Sequence, residues 1–361
     1  MNQTPSQFFR LLLYLTIALS AAHPARAQSP APPGPDLNLA AMIQPVPLAS
    51  KFTDPGYFVW CGSMVQTPDG KCHLFYSRWP RKLGFDAWVT HSEIAHAIAD
   101  NPLGPYHPDG VALPERGKEF WDGLCTHNPA IMHFGDAYYL YYMGDTGANR
   151  AFYTQRNNQR IGVAIAKTPD GPWQRFDKPL IAPTPGFYDA LCCANPAVLQ
   201  RPGGGYLMVY KGVGKKGKLP FGGPVVLIVA TAASPTGPFE KHPDPVFTAK
   251  GTGFAAEDPC IWIQDGHYWA VVKDMRGVFT HAGRSLALFS SDDGIHWRPA
   301  RHPLVSTLVI RWADGAKQPV DRLERPQIFL QNGVPAVLFC AVYPYGHDGT
   351  FNVAIPLKSP P

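Results

Sequence analysis

Carboxylate residues recur in this sequence at nearly regular intervals, each at or just before the start of a short apolar run. Asp122 and Asp189 open two related phrases, DGLCTHNPAIMHF and DALCCANPAVLQR, that lie 67 residues apart. The other carboxylate residues of the set are Asp54, Glu257 with its neighbour Asp258, and Glu324, which precedes Arg325. Crowded carboxylates raise one another's pKa, so one can stay protonated as a general acid while another stays ionised as a base. The set predicts acid–base chemistry if the fold brings its members together.

Residues suited to binding a ligand accompany these carboxylates. Three basic residues lie near the end of the second apolar run of their repeats, namely Arg78, Lys211 and Lys273. A cationic set that faces an acidic one can tune the acids or hold an anionic or hydroxyl-rich ligand. Trp60, Trp121 and His127 flank the starts of the first runs, where an aromatic face would offer a stacking platform for a sugar ring. Asp258, Glu324 and Arg325 are predicted to bind substrate beside them.

The two similar phrases belong to a sequence repeat that covers most of the chain. Its five copies begin near residues 61, 128, 195, 258 and 325. Each copy has an apolar run, a turn such as Asp265-Gly266, and a second run rich in Tyr, Val, Leu and Phe, which predicts a β-hairpin. A third alternating run follows, as in RIGVAIAKT, and a Gly-Pro-aromatic turn leads to a fourth strand. Four antiparallel strands repeated radially predict an all-β fold, a five-bladed β-propeller of four-stranded antiparallel blades.

Ring closure explains how distant residues could form one site. The last copy stops after its third strand, so residues 39–48 are expected to supply the missing fourth strand. Radial repetition brings equivalent positions of all blades around one channel, and the inner strand starts should ring one of its mouths with carboxylates. The repeated Asp122 and Asp189 have an equal alternative as hydrogen-bond acceptors at strand starts, and Glu324 could instead pair with Arg325 or Arg322.

The N-terminus has the order of an export signal. The apolar run of residues 11–22 and the small-residue site ending at Ala27 predict a signal peptide that is removed near Ala27, leaving a secreted or periplasmic protein. No later segment has the ~18 uninterrupted apolar residues of a membrane span. The predicted organisation is a signal peptide at 1–27, a Pro-rich leader at 28–38 and a single propeller catalytic domain at 39–361.

Charge and cysteine content narrow the range of partners. The formal charge is +5, but the basic residues are scattered, which disfavours nucleic acid as a partner. The seven cysteines contain no CxxC pair and are expected to be mostly buried, with a bridge involving Cys125, Cys192 or Cys193 left open.

No metal or cofactor is predicted, although a structural ion such as calcium in the channel is left as an open alternative. His127 is read first as a structural histidine. Nothing in the sequence fixes the oligomeric state.

The five repeats, the TPDGPW and SPTGPF turns and the Glu-x-Pro steps together resemble the five-bladed glycosidases of glycoside hydrolase family 43 and its relatives, from about residue 50 onward. The resemblance implies a general base in an Asp-Pro of the first blade, a pKa-tuning Asp-Pro in the third, and a general acid two residues before a Pro in the fourth. Glu257 matches the acid. Cys61 and Asn195 stand at the other two places, so the chain resembles a divergent member.

These observations predict a secreted glycoside hydrolase that acts on a plant or algal poly- or oligosaccharide. Glu257 would protonate the leaving oxygen while Asp54, Asp122 or Asp189 activates water, with inversion if the two carboxyl groups lie ~6.5 to 9.5 Å apart. One alternative is a carbohydrate-binding propeller without catalysis, which needs no carboxylate pair. Another is a glycoside phosphorylase, whose phosphate the basic residues could hold, although export disfavours a reaction that consumes phosphate.

Overall fold

A computed structural model describes residue 1, residues 36–346 and residues 349–358 of the 361-residue chain. The predicted signal peptide lies outside the described residues, apart from residue 1, and so does the predicted leader up to residue 35. Leu37, near the end of that leader, is buried in an apolar cluster with residues of the last two blades. Among the residues that the structure describes, no helix is both long and apolar enough to cross a membrane.

Five antiparallel sheets make up the fold, as predicted. The chain enters through helix α1 (Leu39–Met42), a 3-10 turn (Leu48–Ser50) and strand β1 (Lys51–Phe52). Each of blades 1 to 4 then uses four successive strands, with the innermost strand first. In chain order these are β2 (Tyr57–Gln66), β3 (Cys72–Pro80), β4 (Glu93–Ala99) and β5 (His107–Leu113); β6 (Cys125–Phe134), β7 (Ala137–Asp145), β8 (Arg160–Ala166) and β9 (Gln174–Arg175); β10 (Cys192–Gln200), β11 (Tyr206–Val213), β12 (Val225–Ala232) and β13 (Glu240–Val246); β14 (Ala256–Gln264), β15 (His267–Asp274), β16 (Ser285–Ser291) and β17 (Arg298–Ser306).

The fifth blade joins the two ends of the chain. It consists of β18 (Val309–Arg311), β19 (Lys317–Gln331), β20 (Val334–Pro344) and β21 (Phe351–Pro356), and β1 pairs antiparallel with the outer side of β21. The N-terminal segment therefore closes the ring as predicted, but through Lys51–Phe52 rather than residues 39–48. Residues 39–48 form α1 and isolated bridges instead, because Pro45 and Pro47 lack the N–H groups that a ladder requires.

Apolar side chains fill the spaces between neighbouring blades. Tyr141 of β7 and Tyr210 of β11 lie in one such cluster, with Ile228 of the third blade. All seven cysteines are free and buried, so the structure shows no bridge at Cys125, Cys192 or Cys193. The remaining short helical segments lie in the loops that follow β3 and β7, and they are Arg81–Leu83, Phe85–Ala87, α2 (Trp88–His91) and α3 (Phe152–Asn157).

Candidate functional site

Each innermost strand has a β-bulge at the same position, and these bulges place the side chains that form the site. Its pairing with the next strand shifts register at the same repeat position in every blade. The residue at that point has a positive φ between 53° and 57°. We name these five residues the bulge ring, and they are Cys61, Asn128, Asn195, Asp258 and Arg325. A β-bulge re-aims a side chain, and here it does so five times around one axis.

The bulge ring closes the channel with a chain of polar contacts. Cys61 Sγ donates to Asn128 Oδ1 at 2.8 Å, and Asn128 Nδ2 donates to Asn195 Oδ1 at 2.5 Å. Asn195 Nδ2 then donates to Asp258 Oδ1 at 2.7 Å, and Arg325 Nη1 reaches the same oxygen at 3.3 Å. All five residues are buried. The ring forms a polar floor, and Arg325 Nε and Nη2 have no hydrogen-bond partner among the described residues.

One residue before the bulge, each inner strand presents a second side chain, opposite a residue of its hairpin partner. The five cross-strand pairs are Trp60 with Ser77, His127 with Met143, Ala194 with Lys211, Glu257 with Lys273, and Glu324 with Ala341. The position is therefore aromatic in blades 1 and 2 and acidic in blades 4 and 5. Because the residue type at this position differs between blades, aromatic side chains face the cavity from one side and carboxylates face it from the other.

Two lysines organise the acidic side. Lys211 Nζ lies 2.8 Å from Glu257 Oε1, and Lys273 Nζ lies 3.6 Å from Glu257 Oε2 while it also contacts Glu324 Oε1. Burial alone would raise the pKa of Glu257, but the two ammonium groups outweigh it and lower the pKa to about 2. Burial raises the pKa of Glu324, against the opposing effect of Lys273. The pair thus combines an ionised carboxylate with one that holds its proton more strongly.

Aromatic rings form the opposite wall. Trp88 and His127 have ring centroids 5.1 Å apart, and Phe85 packs edge-on against Trp60 at 5.5 Å. Ser92 Oγ lies 2.7 Å from His127 Nδ1, and burial lowers the pKa of His127 well below its ordinary value, so this imidazole is neutral. The Arg322 guanidinium lies over Phe85 at 4.9 Å.

The floor and the two walls enclose a cavity of about 180 Å³. It is lined by Trp60, Trp79, Phe85, Trp88, His127, Asn128, Asn195, Lys211, Glu257, Asp258, Lys273, Arg322, Glu324 and Arg325. Eight residues predicted from the sequence therefore meet at this cavity: Trp60, His127, Lys211, Glu257, Asp258, Lys273, Glu324 and Arg325.

The three aspartates predicted as candidate bases lie outside this cavity, which corrects the expectation that they face the channel. Each is buried and accepts a hydrogen bond from a tyrosine hydroxyl on the second strand of its own blade. The pairs are Asp54 with Tyr76 at 2.7 Å, Asp122 with Tyr142 at 2.6 Å, and Asp189 with Tyr210 at 2.8 Å. Each also pairs with a cation, respectively Arg78, Arg116 and Lys241. The repeated aspartate is an anchor between the loop and the sheet.

Arg78 and Trp121 also lie away from the cavity. Arg78 stands opposite Val59, one residue beyond the position that Lys211 and Lys273 occupy in their blades, so its side chain points to the other face of the strand. There it bonds Asp54 and Glu93. Trp121 stacks on Tyr142 with centroids 5.7 Å apart and packs within its blade. Both predicted substrate contacts are thus corrected to structural contacts.

Six cavity residues were not predicted, namely Trp79, Phe85, Trp88, Arg322, Asn128 and Asn195. Three of them lie at the end of β3 or in the loop after it, where the chain departs from the repeat and no periodic signal applies. Asn128 and Asn195 occupy the same repeat position as Asp258, and that register is the signal that could have identified them as cavity residues. The floor offers a single carboxylate, already bonded to Asn195 and Arg325, which does not fit the six to eight oxygen ligands of calcium.

No protein-family model matches the chain, and no curated protein matches its sequence. Solved structures do match its fold. A family 117 glycoside hydrolase of the marine bacterium Zobellia galactanivorans has a TM-score of 0.61 and 18% identity over 88% of this chain and 89% of that one. A thermostable family-43 glycoside hydrolase has a TM-score of 0.57 and 13% identity over 88% and 96% of the two chains. An arabinanase from Bacillus subtilis has a TM-score of 0.56 and 14% identity over 86% and 96%. The chain thus has the fold of five-bladed propeller glycoside hydrolases, which confirms the predicted resemblance.

Proposed function

We propose that the protein is a glycoside hydrolase that cleaves a plant or algal poly- or oligosaccharide after export. One observation carries the proposal: Glu257 and Glu324 contact the same ammonium, that of Lys273, across the cavity from a wall of aromatic rings. Glycoside hydrolysis needs two carboxyl groups of opposite protonation beside a surface that stacks on a sugar ring. The fold shared with known glycoside hydrolases supports the same conclusion.

The electrostatics of the pair support a division of roles. Glu324, whose pKa is raised by burial, would donate a proton to the leaving oxygen as the general acid. Glu257, kept ionised by Lys211 and Lys273, would activate the attacking water as the general base. This assignment keeps Glu257 in the chemistry but gives it the role that the sequence had assigned to an aspartate.

The shape and the free donors of the cavity support recognition of a terminal sugar. The bulge ring closes the floor, so an uninterrupted polysaccharide could not pass through. Trp79 Nε1 and Arg325 Nε and Nη2 are buried donors that lack a partner among the described residues, and sugar hydroxyls would satisfy them. We therefore propose action at chain ends.

A second candidate is a carbohydrate-binding propeller without catalysis. Cys61 and Asn195 stand where the resemblance implies carboxylates, and each glutamate of the pair is matched by a lysine. Such a protein would keep the aromatic wall and the hydrogen-bonding floor without any need for turnover.

The test is a reducing-sugar screen over plant and algal saccharides, including uronic and sulfated ones, with the exported protein. We expect release from at least one substrate, and a fall of ~10²- to 10⁴-fold for Glu257→Gln, the range for loss of a general base. Glu115→Gln is the matched control, because Glu115 is exposed and pairs with Arg150 outside the cavity. Binding without release by the wild type would favour the second candidate, and release that requires phosphate would indicate a phosphorylase.

A further inference from the structure

A group of metal-ligating side chains lies on blade 1, apart from the cavity. His73 of β3 and His96 of β4 are buried neighbours, and Asp170 reaches them from the turn after β8 in blade 2. One ligand atom from each of the three lies within 4.8 Å of the other two. On β3, Ser77 lies at the level of Glu257 and Glu324. His73 is four residues away from Ser77, or about 13 Å along the strand. The group is therefore independent of the proposed function.

A fourth side chain orients one of the imidazoles. His96 Nδ1 lies 3.1 Å from Asp109 Oδ2, and His96 Nε2 lies 3.0 Å from His73 Nδ1. Because a carboxylate only accepts, His96 Nδ1 carries the proton and the lone pair of Nε2 points at His73. A carboxylate behind a histidine in this way is the arrangement that fixes the tautomer and ring direction of metal-binding histidines.

The two ring nitrogens share one proton. Because the His96 Nε2 lone pair accepts from His73 Nδ1 at 3.0 Å, a cation that replaces this proton, with His73 in its other tautomer, would meet one lone pair from each ring. The Asp170 carboxylate is 60% exposed, which supplies an entry path and room for a water ligand. It lies 3.7 Å from His73 Nδ1, the atom that also faces His96.

We propose that His73 Nδ1, His96 Nε2 and Asp170 Oδ1 bind a divalent transition-metal ion, for which zinc is the best fit, and that this ion links blade 1 to blade 2. Two imidazoles and one carboxylate are a ligand set that zinc accepts, with water in the fourth position. Tetrahedral zinc with nitrogen ligands at ~2.0 to 2.1 Å separates them by about 3.4 Å, so the 3.0 Å gap between the two ring nitrogens must widen slightly and both rings must turn for their lone pairs to converge on the ion. Asp109 positions His96 and is not itself a ligand.

The test measures zinc binding by the metal-free whole protein, by competition with a chromophoric chelator and by thermal unfolding. We expect one tight site in the wild type and a midpoint of unfolding that rises with zinc concentration. Asp170→Asn should lower the affinity at least tenfold, and Asp109→Asn should lower it ~10- to 100-fold. Because its side chain is mostly exposed, Asp170→Asn is not expected to impair folding, whereas a change at buried His96 could.

His267→Asn is the matched control, since His267 pairs with Asp292 as a lone histidine–carboxylate pair on blade 4. It should bind zinc as the wild type does. Cobalt added in place of zinc should give visible absorption bands that Asp170→Asn weakens or shifts. The proposal is overturned if the wild type binds no zinc at micromolar concentration, or if Asp170→Asn binds zinc as tightly as the wild type.

Discussion

Blades 1 to 3 and blades 4 and 5 use carboxylates in opposite ways. In blades 1 to 3 an aspartate precedes the inner strand and anchors the loop to a tyrosine and a cation of its own blade. In blades 4 and 5 a glutamate lies one residue before the bulge and faces the cavity. The two kinds of position differ by only five or six residues, yet the first is structural and the second is proposed to be catalytic.

The difference shows that register within the repeat decides the role of an acidic residue. Asp189 and Glu257 both pair with a lysine. Asp189 also accepts from Tyr210, from the Thr184 N–H and from Cys193. Its oxygens are therefore occupied by the protein itself, whereas those of Glu257 line an open cavity.

The largest expected effect is loss of stability at an anchor. Asp189→Ala would remove the only carboxylate that pairs with the Lys241 ammonium among the described residues and would leave the Tyr210 hydroxyl without its acceptor, so we expect the free energy of unfolding to fall by about 3 to 5 kcal/mol. Turnover per folded molecule should stay near the wild-type value. Denaturant unfolding and an assay well below the midpoint measure the two quantities. Asp177→Ala, at an exposed ion pair with Arg116, should change stability by less than about 0.5 kcal/mol. Lost turnover in folded Asp189→Ala would remove the distinction between the two regions.

A smaller effect is expected on the pH dependence of turnover. Glu257 must be ionised to act as a base, so activity falls as the pH drops through its pKa, which the lysines hold at about 2. Lys211→Met removes one of the two opposing charges and leaves burial in place, so the pKa rises and the acid limb moves to higher pH. The rate constant kcat/KM measured against pH checks the direction. An unmoved acid limb would show that Lys211 does not govern the base.

The smallest effect concerns the aromatic wall. Trp88 is half-buried beside His127, in the loop that follows β3. Trp88→Ala should raise KM about tenfold with little change in kcat, because stacking on one sugar ring contributes about 1 to 1.5 kcal/mol. Steady-state kinetics separate the two constants. Trp173→Ala, in the packing of blade 2, is the comparison that should alter stability instead. An unchanged KM for Trp88→Ala would place the substrate elsewhere.

The sequence predicted the fold well because each blade is a local four-stranded unit written in the same order five times. It placed the inner strand starts at one mouth, and eight predicted residues lie there. It failed for Asp54, Asp122 and Asp189 because periodicity identifies equivalent positions but not the direction in which a side chain points. The bulges set that direction. They occur at residues as different as Cys61 and Arg325, so no common residue type marks them in the sequence.

The loop after β3 shows a second limit. Phe85 and Trp88 reach the cavity from a stretch that no other blade repeats, so only tertiary packing assigns them there. Closure by Lys51–Phe52 is a similar case, because only the folded structure shows that these two residues after Pro47 pair with β21.

In the proposed mechanism, Glu324 supplies the proton and Glu257 acts beside it. The most direct test is the pH profile of kcat/KM for the wild type and for Glu324→Gln, on a substrate with a good leaving group that needs little acid assistance. The wild type should lose activity on the alkaline side of the raised pKa of Glu324, and the variant should lack that limb. An alkaline limb of the same position and shape in both proteins would contradict the assignment.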